Sequence, residues 1–388
     1  MNPLMNRRQI ARSALFGSAA ALFTASAPAE SVLHDPAVQY DPRQFGAAGD
    51  GKADDTTALQ RALDAAGGCG GVVLLQPGVY LTRELHLHER TAFIGTPAWR
   101  YSSAGGSVLK LASPDEFCLL NLTDALGATV DGIALDGGYL GKGVHGIATR
   151  RDKWGEHEDG FRIERCQVGS FSGDGAHLEC AWCFSVRHCE FYANHGDGLS
   201  LRGWDGFLLD NWFSGNGRAG FAARQQNASV TFTANRIEWN GEENMIIDSA
   251  DGYQITGNFF DRAGTIGLAI RSTHNPATQI TITGNFFKRA GKNATSTPLN
   301  SANLLVDGAE GVTCVGNTFQ TGRDDGPKGA WSPSYGIIYH ALRNAVLRDN
   351  VLHDGAIKEL LLDQGGHHEG VLVSDNPGRL FTDFNRTW

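Results

Sequence analysis

The chain has 388 residues, 50 of them glycine, with 41% hydrophobic and 19% charged residues and a formal net charge of −9. That length supports a large core, and many glycines without a long apolar run point to a turn-rich β protein rather than a membrane-spanning one. The acidic balance argues against nucleic acid as a partner, although it leaves room for a local basic strip.

At the N-terminus, Arg7-Arg8 precede an apolar stretch from Ala14 to Ala25 that is too short to span a bilayer, and Ala27-Pro28-Ala29 follows as a small-residue cleavage site. This predicts a twin-arginine export signal over residues 1–29, with a Sec signal as the alternative, and a periplasmic or secreted protein with no membrane attachment once the signal is removed. Its removal takes away Arg7, Arg8 and Arg12 and moves the formal charge to −12. Seven cysteines leave at least one outside any intramolecular disulfide. Cys180-Ala181-Trp182-Cys183, with His177 and His188 nearby, has metal-ligand spacing, but small buried thiols in strand cores explain it more simply. No metal site is predicted there.

Next comes Phe45-Gly46-Ala47-Ala48-Gly49-Asp50-Gly51, then Asp54-Asp55-Thr56-Thr57 at the start of a helical pattern carried by Ala58, Leu59, Ala62, Leu63 and Ala66. Val72-Val73-Leu74-Leu75 reads as a buried strand, and Gln76-Pro77-Gly78 turns into Val79-Tyr80-Leu81. The glycines lack the Gly-Lys-Ser/Thr and the strand-to-helix order of a phosphate loop. These motifs resemble the N-terminal region of the pectate lyase superfamily. The resemblance implies a right-handed single-stranded parallel β-helix (all-β), with residues 30–100 as a small α/β cap and 101–388 as the repeats. It also implies that Asp50, Asp54 and Asp55 are structural. The superfamily includes glycan hydrolases, lyases, epimerases and phage tailspikes. The chain has neither the Asn-Thr-Asp and Gly-His-Gly of polygalacturonases nor a clear calcium-binding aspartate cluster, so the resemblance implies no specific activity. Calcium would be expected only for a lyase, and otherwise no cofactor.

From residue 166 onward the chain repeats. A punctuation residue recurs at Cys166, Cys189, Asn211, Asn235, Asn258, Asn285, Asn317, Asn350 and Asn376, the first five intervals being 23, 22, 24, 23 and 27 residues. That is solenoid spacing. The asparagines are expected at tight bends, tolerating left-handed geometry. An apolar residue follows two places on, usually Phe, and predicts an internal ladder. Each coil also carries a tetrad, such as Leu199-Ser200-Leu201-Arg202 or Leu268-Ala269-Ile270-Arg271, with apolar first and third positions. Its fourth position is ionisable in every copy: Glu179, Arg202, Arg224, Asp248, Arg271, Asp307, His340, Asp363. Stacked about 4.8 Å apart, these form one row on an outer face.

The row is the expected functional surface, because the two longest connections, Lys288 to Asn303 and Gln320 to Gly336, lead into the tetrads of Asp307 and His340. Asp248 and Asp307, two rungs and about 9–10 Å apart, suit the paired carboxylates of an inverting glycoside hydrolase, with His340 orienting Asp307. Arg202, Arg224 and Arg271 suit an acidic or densely hydroxylated glycan, because guanidinium pairs bidentately with carboxylate. Glu179, Trp331 and Tyr335 complete the predicted binding surface. Secondary candidates in the connecting loops are Asp174, His195, Asp197, Glu242, Glu243 and Asp324. The expected function is an exported polysaccharide-degrading enzyme, most simply a glycoside hydrolase. The alternatives are a uronate lyase or epimerase, and a non-catalytic glycan binder, which should expose aromatic platforms. Homo-oligomers are compatible with all of these.

Overall fold

A computed structural model describes residues 38–96, 106–294, 298–321 and 331–382; the expected export signal and Asp324 lie outside them. A short strand cannot bury an apolar stripe alone, so these strands stack coil upon coil. The pairings run parallel, in one 22-stranded and one 12-stranded sheet. This is the predicted parallel β-helix, in which crossovers between parallel strands coil right-handed. The Asn–Phe strands form the 12-stranded face. The other two faces share a sheet because Ala176–Arg187 and Leu199–Leu209 run unbroken round a corner, bending at a register shift between Glu179 and Ala181. Later coils break there, as between Met245–Asp248 and Asp251–Thr256.

The helix Thr56–Gly67 buries Ala58, Leu59, Ala62, Leu63 and Ala66, the face its spacing predicts. Asp55 is buried and accepts hydrogen bonds from the Ala48 and Gly49 N–H groups, while Asp54 accepts from Thr56 N, so both carboxylates tie turns together. Coiling begins inside this N-terminal segment: Val72–Leu74 pairs with Ala92–Ile94, which pairs with Thr129–Asp131.

First and third tetrad residues, among them Leu199, Leu201, Met245, Ile247, Leu268 and Ile270, fill one core with Tyr253 and the Phe series. Phe287 lies between Phe260 and Phe319, with ring centroids 4.7 and 4.8 Å away and planes nearly parallel. Offset aromatic stacking adds about 0.5–1.5 kcal/mol per pair beyond burial. Phe287→Leu is therefore expected to cost about 1–3 kcal/mol, read as a lowered denaturation midpoint; an unchanged midpoint would remove the ladder from the stability account.

The asparagines behave differently from the sequence expectation. The left-handed residue is the one before each Asn: Asp210 (φ 52°), Ala234 (58°), Gly257 (66°), Gly284 (65°), Gly316 (69°) and Asp349 (54°). The Asn itself bonds the coils together. Asn258 Nδ2 donates to Phe232 O and to Asn285 Oδ1, while its own Oδ1 accepts from the backbone and side-chain amides of Asn235. The same pattern runs from Asn211 to Asn376. A side-chain amide has two donors and one acceptor with two lone pairs, which is what a ladder needs.

Candidate functional site

The period of two that makes the fourth tetrad position face outward does the same for the second. In the early coils this column is polar, with His177 and Ser200. Later it is apolar: Ile246, Ala269, Leu305 and Ile338 are buried in a second cluster with Ile266 and Ala302, and Tyr335 packs half-buried against it. The polar part of the face therefore lies over the early coils, upstream of where the long connections suggested it.

A third column belongs to the same face. The register Ile147↔Ala176↔Leu199 sets His145, Asp174 and Asp197, each two residues earlier, on successive rungs. Asp174 Oδ1 accepts from the Asp197 N–H, and Asp197 Oδ1 accepts from the Ala219 N–H. Each carboxylate thus closes a gap in the backbone ladder of the next coil. Asn194, Asn216 and Asn240 hold these loops in a second side-chain amide ladder. Its spacing of 22 and 24 residues repeats that of the main ladder and could have been found in the sequence.

The columns enclose a cleft of about 220 Å³, lined by Asp174, His177, Glu179, Asp197, Arg202, Arg218 and Arg224 among others. Asp197 is buried and clamped by Arg224, whose two terminal nitrogens lie 2.6 and 3.2 Å from its oxygens. Arg202 reaches Glu179 at 3.2 Å and Gln226 at 2.9 Å, and lies over the Trp154 ring. Arg218 lies 3.6 Å from Glu242, and Arg271 3.5 Å from Glu243. The structure thus joins Glu179, Arg202, Arg224, Asp174, Asp197 and Glu242, with the Arg271–Glu243 pair at the margin.

At the head of the cleft, His177 Nδ1 lies 2.8 Å from Asp174 Oδ2, which orients the ring and leaves Nε2 3.6 Å from Glu179 Oε1. His145 stacks on His177 at 4.3 Å, and its Nδ1 accepts the Asp174 N–H, so the neutral ring carries its hydrogen on Nε2. Burial pulls His145 down to about 4 against the opposing charge of Asp174. Burial works the same way on His177, but the hydrogen bond and charge of Asp174 outweigh it and raise that ring above its ordinary value. Asp174 itself is held low: burial is overcome by the bond to His177 and the Asp197 amide. His145 thus stays neutral beside a ring whose proton Asp174 helps to hold, and His177 is the one of the two suited to exchange a proton. The sequence pattern marks His177 as a tetrad member and a neighbour of the cysteines, with no catalytic role, and does not single out His145. Both stand at outward positions, at or two residues before the tetrad, and that was the available signal.

Among the described residues, His145, Asp174 and His177 are also the one group compact enough to hold an ion, with ligand atoms within 4.8 Å of one another. Two imidazoles and one carboxylate suit a zinc-like ion rather than calcium. All seven cysteines are free thiols, and the Cys180 and Cys183 pair is not drawn into this group.

The remaining candidates lie elsewhere. Asp248 has both oxygens occupied: Oδ1 accepts from Ser249 Oγ and Thr273 N, and Oδ2 from Thr273 Oγ1. Burial notwithstanding, these bonds depress its pKa. A carboxyl depressed in the folded state contributes stability that is present above the unfolded value, near 3.9, and is lost as pH falls through the folded value. The stability gap between the parent and Asp248→Asn should accordingly shrink below about pH 4, a change readable by chemical denaturation; a gap independent of pH would contradict the assignment. Asp307 and His340 form their own pair at 2.8 Å, each side chain 43% exposed. Asp363 leaves the row, because the register sets it opposite Tyr339 rather than His340. His195 is exposed and stacks on Tyr139, and Trp331 packs against Trp239 and Lys292.

Comparison with known proteins agrees with this architecture. The right-handed β-helix region family matches residues 154–385, and the rhamnogalacturonase A/epimerase, pectate lyase-like family matches residues 42–110. Among solved structures, the mannuronan C-5 epimerase AlgE4 A-module of Azotobacter vinelandii is 18% identical, covering 88% of this chain and all of that one with a TM-score of 0.65. The lidless DFA-IIIase of Arthrobacter chlorophenolicus A6 is 14% identical, covering 88% of this chain and 98% of that one with a TM-score of 0.61. A capsule K30/K69-specific depolymerase of Klebsiella phage K64-1 is 25% identical over 189 residues, which is 45% of this chain; the match spans only 24% of that longer protein. With more than half its length matched and the parallel coils in place, the chain belongs to the right-handed β-helix family of pectate lyase-like proteins.

Proposed function

We propose that this protein is an exported enzyme that acts on a uronate-containing polysaccharide by removing the proton α to the sugar carboxylate. The observation that carries the reading is the Asp174–His177 dyad, with His145 stacked beside it, opening on a cleft lined by three arginines. A carboxylate bound by Arg202 or Arg218 becomes a better electron sink, which acidifies the C5–H bond. His177 Nε2 takes that proton, and the C5–H electron pair moves into the carboxylate as an enediolate. If the pair then forms C4=C5, the C4–O bond breaks and its electrons leave with the glycosidic oxygen, which takes up a proton. If the carbanion is instead reprotonated at C5 by solvent from the opposite face, the sugar is epimerised. Having taken that proton, His177 is the ring that can return it to the departing oxygen, while His145, neutral with its hydrogen on Nε2, keeps its own.

Hydrolysis is the weaker reading. A general acid needs a carboxyl kept protonated, as apolar burial provides. Here Asp197, Glu179 and Glu242 sit among guanidinium groups, and Asp248 is committed to Thr273 and Ser249. The relatives named for epimerase and depolymerase activity support a carbohydrate substrate in general. A panel of uronate polymers set against neutral glucans and fructans tests the class. Turnover restricted to the uronates, with unsaturated or inverted uronosyl residues as products, supports the reading; turnover of the neutral polymers overturns it.

A further inference from the structure

Beside the cleft lies a larger pocket of about 480 Å³ that shares Arg202, Arg224 and Gln225 with it and is completed by Gln226, Ser249, His274 and Asn275. We infer that this pocket is a second saccharide subsite, binding the sugar next to the one that reacts. This rests on the reading of the cleft as a uronate site. Three observations converge on it.

The first is continuity. The shared arginines line both spaces, so a chain lying on Arg202 in one extends into the other. The volume lies within the range of small-ligand sites. The second is that the far wall is held rigidly. Asp248 fastens Thr273 through its N–H and hydroxyl, while Ser249 Oγ accepts the N–H groups of both His274 and Asn275, each at 3.1 Å. The row carboxylate that has no open oxygen for chemistry is thereby a positioning residue for this wall. The third is that His274, Asn275 and Gln225 are exposed and make no side-chain hydrogen bond among the described residues. A fixed backbone presenting unpaired amide and imidazole groups into a polar pocket is suited to sugar hydroxyls, and Arg202, already held by Gln226 and Glu179, is suited to the neighbouring carboxylate.

The test is calorimetric titration of di- and hexasaccharides of mannuronate and of galacturonate, in a His177→Gln background so that substrate survives. The expected result is that the better hexasaccharide binds at least about tenfold more tightly than its dimer, and that His274→Ala/Asn275→Ala removes that advantage while leaving dimer affinity intact, one or two hydrogen bonds being worth about that factor. Ser249→Gly, compatible with the φ of 51° there, should remove part of the advantage by freeing the loop. If the hexasaccharide advantage survives in the double variant, the subsite is wrong and the uronate cleft stands. If neither sugar series binds the parent, both fall together.

Discussion

Replacing His177 by glutamine is expected to lower kcat on the best uronate polymer by about 10²–10⁴-fold, the usual worth of a positioned base, with the melting temperature close to that of the parent. The ring is only partly buried and makes one strong side-chain bond, to Asp174, so its loss leaves no large cavity. The pH profile separates a base from a merely structural imidazole. Asp174 raises the His177 pKa, so the acidic limb of kcat/KM should lie above about 6.5, activity appearing as the ring loses its proton. Asp174→Asn removes that charge and should move the limb to lower pH, besides lowering the rate. A limb that stays in place would assign the titration to another group. Asp307→Asn is the companion control, since its partner His340 lies outside the cleft; near-parental turnover is expected.

The second large effect is on stability. Asp261 is completely buried and Arg289 only 4% exposed; Nε of the arginine lies 2.5 Å from one carboxylate oxygen, its terminal nitrogen binds the other, and Arg262 donates to the same group. Arg289→Met removes the main partner of a charge that cannot reach water. Breaking a buried pair from one side costs about 3–5 kcal/mol. Replacing both ends, as in Asp261→Leu/Arg289→Met, should recover most of that, because the desolvation cost of both charges disappears. Urea denaturation of the three proteins checks this. A double variant no more stable than Arg289→Met would mean that the pair holds the corner by geometry rather than by charge balance.

The repeat architecture was legible in the chain because periodicity is a one-dimensional property: Asn211 to Asn376 and the Phe residues two places later register one coil each. The direction of the tetrad side chains followed from the same period. Function was harder to read. The fourth position looked informative because it is ionisable in every copy, yet some of those charges serve the coil, as Asp248 does for the loop at Thr273. Conversely, Asp174 and Asp197 looked like ordinary Asp-Gly turns, and they are turns, but their second oxygens point into the cleft toward His177 and Arg224. A turn carboxylate has two oxygens and can cap a backbone N–H with one while holding a side chain with the other. Sequence spacing registers the first use and not the second. His145 and His177 escaped because their meeting depends on the pairing of Ile147 with Ala176 across 29 residues, a register that no local pattern announces. The shift of Asp363 by one place has the same origin: its leucine run is equally regular in either alignment.

The central claim is that chemistry begins with loss of the C5 proton. Running the reaction in deuterium oxide and examining the polymer by NMR tests it most directly. The expected result is new C4=C5 unsaturated ends, or deuterium at C5 of inverted residues, and neither in the His177→Gln variant. New reducing ends with fully protonated C5 and no unsaturation would contradict it.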